Sequence, residues 1–189
     1  MISLREVFTA LYGAYRLARF DPGGLGVFDV TVQGFWRSFF AAVLVAPLYL
    51  ILLLIRYSNL PNPLPLFRFI TLEAIAYVIA WVAFPLLMAS LARLLDRDDY
   101  YIRYIVAYNW AAVLQNLLYI PIAILAAAGV LSIALSNTLG LMALALIVAY
   151  IWFITRTALE VAAGMAAGIV GLDFMLNVLI NTVVEAAIK

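Results

Sequence analysis

Few side chains in this sequence could do chemistry, and they are oxygen and nitrogen groups scattered through apolar surroundings. Arg156 and Glu160 stand four residues apart, so on a helix they share a face. If both lay inside a bilayer, each would cost about 2.5–3.5 kcal/mol on insertion scales, and mutual pairing would offset part of that. The preferred reading is a pair near one membrane face that snorkels to water. The alternative is a polar site within a bundle, for ion passage or for docking a partner. Asp173 follows Gly168-Ile169-Val170-Gly171-Leu172 and offers a similar choice. A helix N-cap at the membrane surface is the first reading, because Asp readily accepts from free backbone N–H groups. The sharper reading is an intramembrane carboxylate facing Arg156. Asn109 and Asn116 are seven residues apart and share a helix face. Amides so placed form contacts between helices, worth about 0.6 kcal/mol each, or line a polar path. Glu73, five residues after Arg68, reads as interfacial.

The densest charge cluster runs from Arg93 to Arg103 and holds Arg93, Arg97 and Arg103 with Asp96, Asp98 and Asp99. Three carboxylates could hold a divalent cation through oxygen ligands. The interspersed arginines favour a self-neutralising connection instead, and Tyr100, Tyr101, Tyr104 and Tyr108 suit an aromatic girdle at an interface. His and Cys are both absent. That removes disulfides, Cys- or His-bound zinc, His-ligated haem, and Cys or Ser–His nucleophilic catalysis. The expectation is a protein without catalytic residues, metal or cofactor. The net charge of +1 gives no basic excess for a nucleic-acid partner.

The elements that must position these groups follow from composition. Of 189 residues, 68% are hydrophobic and 11% charged, against about 45–50% and about 25% in a soluble domain. Crossing a hydrocarbon core of about 30 Å takes roughly 20 apolar residues. Charge-free runs extend over Ser38–Ile55, Ala74–Ala92 and Tyr104–Thr155, the last too long for one span. Its expected break is the turn-forming cluster Ser136-Asn137-Thr138-Leu139-Gly140. Spans are thus expected near 36–56, 70–92, 104–130 and 138–162, with a fifth inside 165–187. The preferred reading of the last boundary keeps Arg156 and Glu160 in a long fourth helix, with Gly164 to Gly171 as the turn. In the other, Arg156 and Glu160 form a polar connection, and Gly164, Gly168 and Gly171 become a close-packing helix face. Pro47, Pro85 and Pro121 interrupt three spans.

With five spans and an inner N-terminus, the inner segments carry Arg5, Arg16, Arg19, Arg37, Arg93, Arg97, Arg103 and Arg156. The outer segments carry Arg56, Arg68 and Lys189. The positive-inside rule reads this as a cytoplasmic N-terminus and an outer, periplasmic C-terminus. Residues 1–28 are expected as an amphipathic interfacial helix and turn, and residues 29–189 as the five-span membrane domain. Ser3-Leu4-Arg5-Glu6 fits a capping box. Leu4, Val7, Phe8, Leu11, Tyr12, Tyr15 and Ala18 form one apolar stripe, and Asp21-Pro22-Gly23-Gly24 ends the helix. Such a helix would lie in the cytoplasmic interface with its arginines near anionic lipid. The segment does not read as a cleaved signal, since no short apolar core precedes a small-residue cleavage site.

The layout resembles the bacterial branch of the Yip membrane family, whose eukaryotic members interact with Rab GTPases. Five closely packed spans carry the likeness. So do the segment Tyr101-Ile102-Arg103-Tyr104-Ile105-Val106-Ala107-Tyr108-Asn109-Trp110, the third-span motif Leu118-Tyr119-Ile120-Pro121 and the fourth-span motif Ile151-Trp152-Phe153. Asp96-Arg97-Asp98-Asp99 replaces the glycine-rich loop usual before the third span, and the long cytoplasmic region of eukaryotic members is missing, so no GTPase partner is implied. Gly171-Leu172-Asp173 matches part of the intramembrane aspartyl protease signature, but the preceding Gly is absent and no second span offers a partner aspartate. The reading is an all-α, non-enzymatic scaffold or membrane-organising subunit of a bacterial inner membrane. Its partners would be lipids and either a membrane protein or a second copy. A small transporter or channel subunit is the alternative.

Overall fold

The computed structural model describes residues 2–61 and 63–188. Helix α1 (Leu4–Ala18) begins at the expected capping box: Glu6 N–H donates to Ser3 Oγ at 3.2 Å, and Ser3 N–H donates to the Glu6 carboxylate at 2.7 Å. A 3₁₀ turn over Pro22–Val27 follows, with Asp21 as its cap. The short α2 (Val32–Ser38) leads almost without a break into α3 (Phe40–Ser58). Then come α4 (Leu66–Leu94), α5 (Tyr101–Ala127), α6 (Ile133–Ala158) and α7 (Ala163–Ile188). There is no strand among the described residues. Five segments are long and apolar enough to cross a membrane: Val32–Ser58, Leu66–Leu94, Asp98–Ala127, Ile133–Ala158 and Ala163–Ile188. At 1.5 Å per residue the shortest, 26 residues, is about 39 Å long, enough for the hydrocarbon core with some tilt.

Two expected boundaries are corrected. The break between the third and fourth spans falls at Ala128–Ser132, not at Ser136–Gly140, which lies within α6. Gly129 adopts φ +71° and ends α5 with paired bonds, Gly129 N–H to Ala126 O and Val130 N–H to Leu125 O, both at 3.0 Å. Ser132 then caps α6 through Leu135 N–H. Thr138 gives its hydroxyl to Ala134 O of its own helix, so this turn former is satisfied without a turn. At the other end, α6 stops at Ala158, and the connection is Leu159–Ala162. Gly164, Gly168 and Gly171 are therefore helical residues of α7, not the turn.

The α5 helix is the axis of the bundle. It packs against α1, α2, α3 and α6, and Tyr104 to Ala107 and Asn109 to Ala111 are all buried. A helix enclosed on several sides shows little amphipathic pattern. On its outer side α7 joins α4 and α6. The outward surfaces carry Leu86, Leu141, Leu146, Met175 and Leu179, all exposed. Apolar surface of that extent needs a lipid or protein neighbour.

Of the expected α1 stripe only Val7 is buried, and the buried face runs instead through Ala10, Ala14 and Leu17. Val7, Ala10, Ala14 and Leu17 are buried in the same core as α5, and Tyr150 O–H donates to Ala14 O at 2.6 Å. Leu4, Phe8, Tyr12 and Tyr15 point outward. Close approach depends on glycines other than the three expected. A Cβ on Gly24 would stand 2.6 Å from Gly13 O, and one on Gly34 would collide with the Asp29 carbonyl. A Cβ on Gly164, Gly168 or Gly171 would meet nothing within 4 Å. Within this chain those three glycines do not serve helix packing: they form an outward face of α7.

Candidate functional site

Of the expected polar groups, Asp173 and Asn109 make contacts between α5 and its neighbours. Asp173 sits ten residues into α7, about 15 Å along its axis, and is 4% exposed. Tyr108 O–H donates to its Oδ1 at 2.9 Å, and Asn177, one turn further on, donates Nδ2–H to the same oxygen at 3.0 Å. Asp173 meets neither expectation in full, being buried mid-helix but without Arg156. It is no N-cap, and it does not face Arg156. Beside it, the Tyr104 and Thr155 hydroxyls lie 3.1 Å apart. Thr155 gives its own proton to Ile151 O at 2.8 Å, so Tyr104 is the donor between them. Together these bonds tie α5 to α6 and α7.

A second buried carboxylate is Glu73, which turns into the bundle near the start of α4. It lies in the third turn of α4, is 3% exposed, and accepts from Tyr49 O–H of α3 at 2.9 Å. The Tyr49 ring stacks on Tyr77, whose hydroxyl donates to Ala42 O at 2.7 Å. Neither Glu73 nor Asp173 has a cationic partner among the described residues. Each carboxylate sits instead among O–H or N–H donors that carry no net charge.

Asn109 is fully buried and donates to Ser38 Oγ at 2.8 Å, while Ser38 donates to Phe35 O at 2.7 Å. That is the contact between spans expected of an amide here. Asn116 differs, because its Nδ2 bonds Ala112 O of its own helix at 2.8 Å and reaches no neighbour. Arg156 and Glu160 do not pair. Arg156 is exposed over the Trp152 ring, 5.5 Å from its centroid. Glu160 lies past the helix end with φ +53° and meets Arg103 at 2.9 Å. Arg103 also donates through Nε and Nη2 to Ala158 O, at 2.9 and 2.6 Å, and lies over the Tyr100 ring. The guanidinium thus closes the C-terminal end of α6, where backbone carbonyls lack partners. It also holds the Glu160 carboxyl below its ordinary value.

Sequence reasoning missed Arg103, Glu73, Tyr49, Tyr108 and Thr155 as members of these contacts. Tyr108 belongs to the expected aromatic girdle, and Tyr49 carries no spacing signal of its own. Asn177, four residues after Asp173, was the one spacing signal available.

Two cavities accompany the bundle. One of about 290 Å³ lies among α1, the 27–29 connection, α2 and α5. The other, about 210 Å³, lies between α1 and the middles of α5 and α6. Neither is lined by Arg156, Glu160, Asp173, Asn109 or Asn116. The described residues include no group of three or more acidic side chains that could hold a metal.

The fold defines a multi-pass helical membrane protein with a helix-packing polar core. No protein-family model matches the chain, and no curated protein or solved structure does.

Proposed function

We propose that this chain is a non-enzymatic scaffold or membrane-organising subunit, Yip-like in layout, in a bacterial inner membrane with its N-terminus cytoplasmic. One observation carries the reading: four polar pairs join different helices inside the bundle. Asn109 meets Ser38, Tyr108 meets Asp173, Tyr104 meets Thr155 and Tyr49 meets Glu73. Groups committed in this way specify packing, since the alternative is an unsatisfied polar atom in hydrocarbon. The charge distribution supports the orientation, and the outward glycines of α7 leave room for a neighbouring helix. A native pull-down of tagged protein in mild detergent, with mass spectrometry of the eluate, tests it. A stoichiometric membrane-protein partner is expected. A homo-oligomer without one would overturn the accessory-subunit version.

A second reading, a small transporter or channel subunit, is favoured by the two buried carboxylates without cations, Glu73 and Asp173. Asp173→Asn keeps an oxygen for Tyr108 but removes the charge. Under the transport reading it abolishes flux in liposomes, whereas under the scaffold reading partner recovery is unchanged.

A further inference from the structure

We propose that the 290 Å³ cleft between α1, α2 and α5 binds one phospholipid by its phosphate headgroup, with part of the lipid's apolar body on the cleft floor. The proposal rests on the reading of α1 as an interfacial helix and adds a defined ligand to it. The floor is apolar and buried: Ala10, Phe28, Val106 and Trp110. The rim is polar and unequally satisfied. Among the acids, Glu6 accepts from Ser3 N–H on one oxygen and from Arg37 on the other. Asp29 accepts from both the N–H and the hydroxyl of Thr31 on Oδ1, at 3.0 and 2.7 Å. Asp29 Oδ2 accepts from no described group, and most of the donors are likewise unoccupied. Arg37 uses only Nη1, and Arg5 and Thr9 make no side-chain hydrogen bond or ion pair among the described residues.

Arg5 and Thr9 are one turn apart on α1, so both reach the same side of the cleft. A guanidinium and a hydroxyl left without acceptors, beside a partly used second guanidinium, suit phosphate oxygens, which arginine binds through charge-assisted bonds. A free phosphate ester would leave the Trp110 floor without a partner. A lipid supplies both halves. The exposed residues Leu4 and Phe8 flank Arg5 and Thr9, so the rim adjoins apolar surface that acyl chains would cover.

The test uses the full chain purified in detergent and titrated with dioleoyl phosphatidylglycerol, with bound lipid counted by native mass spectrometry. Dioleoylglycerol, which lacks the phosphate, and glycerol 3-phosphate, which lacks the chains, are the comparison ligands. One retained phosphatidylglycerol is expected, with affinity about tenfold weaker in the Arg5→Gln/Thr9→Val variant. Arg19→Gln, outside the cleft, is expected to leave it unchanged. Arg5 and Thr9 are exposed, and an unchanged elution profile shows that the double variant still folds. Equal retention of dioleoylglycerol overturns the proposal, as does equal weakening by Arg19→Gln. Displacement by glycerol 3-phosphate at equal concentration would assign the cleft to soluble phosphate esters and also overturn it. The count is made on the isolated protein, so failure of the scaffold reading in a pull-down leaves this result independent.

Discussion

At the scale of single residues, glycines separate packing inside the chain from packing outside it. Gly24 and Gly34 admit no methyl group without displacing backbone, Gly13 O in one case and the Asp29 carbonyl in the other. Gly24→Ala and Gly34→Ala are expected to cost about 1–3 kcal/mol each, as overpacking does in tight cores, and to lower the melting temperature in detergent. Gly168→Ala meets open space in this chain and removes a weak helix former, so its stability in detergent is expected to be unchanged or slightly higher. Loss of a co-purifying partner in that variant, with stability intact, would mark the α7 face as the contact. Among polar residues, Tyr108→Phe removes one of two donors to Asp173 Oδ1. The expected loss is about 0.6 kcal/mol and no more than about 1.7, the range for hydrogen bonds between helices in membranes. A larger fall in thermal stability would mean the tyrosine does more than donate.

Elements show where local chemistry sets limits on a helix. Four helices, α1, α4, α5 and α6, are followed two residues on by positive φ, at Phe20, Asp96, Gly129 and Glu160. Only one is glycine, and it was masked by the apolar run Leu125-Ala126-Ala127-Ala128 before it. At Glu160 the unfavourable backbone is held by the Arg103 bridge to both Ala158 O and the Glu160 carboxylate. Arg103→Gln is therefore expected to loosen the α6–α7 connection, seen as faster amide exchange over Leu159–Ala162. Helix α1 depends on acid groups in the same way. Ser3 bonds hold the Glu6 carboxyl below its ordinary value, the Arg16 bridge does so for Asp21, and Thr31 does so for Asp29. A depressed carboxylate contributes stability that is present above its unfolded value, about 4, and is lost as pH falls through the lower folded value. Loosening of the two ends of α1 is accordingly expected below about pH 4, with no change between pH 6 and 8. Amide exchange of Val7, Ala14 and Leu17 at pH 7 and pH 3 checks it; exchange that ignores pH would place the anchoring elsewhere.

For the whole molecule, eight arginines at one end against Arg56 and Arg68 at the other make orientation the sharpest prediction. With no native cysteine, single substitutions report cleanly. Asp98→Cys is expected to be shielded from an impermeant thiol reagent in intact cells, and Ser58→Cys to react. The reverse pattern would invert the topology. Much of this scale was legible beforehand. Five runs of apolar residues fix the number of spans, because backbone polar groups in lipid can be satisfied only within helices or closed barrels. The capping box at Ser3 and the contact role of Asn109 were also legible, since both depend on near neighbours or on burial alone. The sequence by itself determined the all-helical membrane class, the count of spans and the start of α1, all consequences of composition and short-range spacing. Tertiary structure alone decided that Glu73 and Asp173 turn inward to tyrosines and that Glu160 answers Arg103, 57 residues away. It also decided that Gly24 and Gly34, not Gly164, Gly168 and Gly171, allow close approach. The physical reason is that lipid and protein interior are equally apolar. Hydropathy therefore says that a helix is in the membrane but not which of its faces meets another helix.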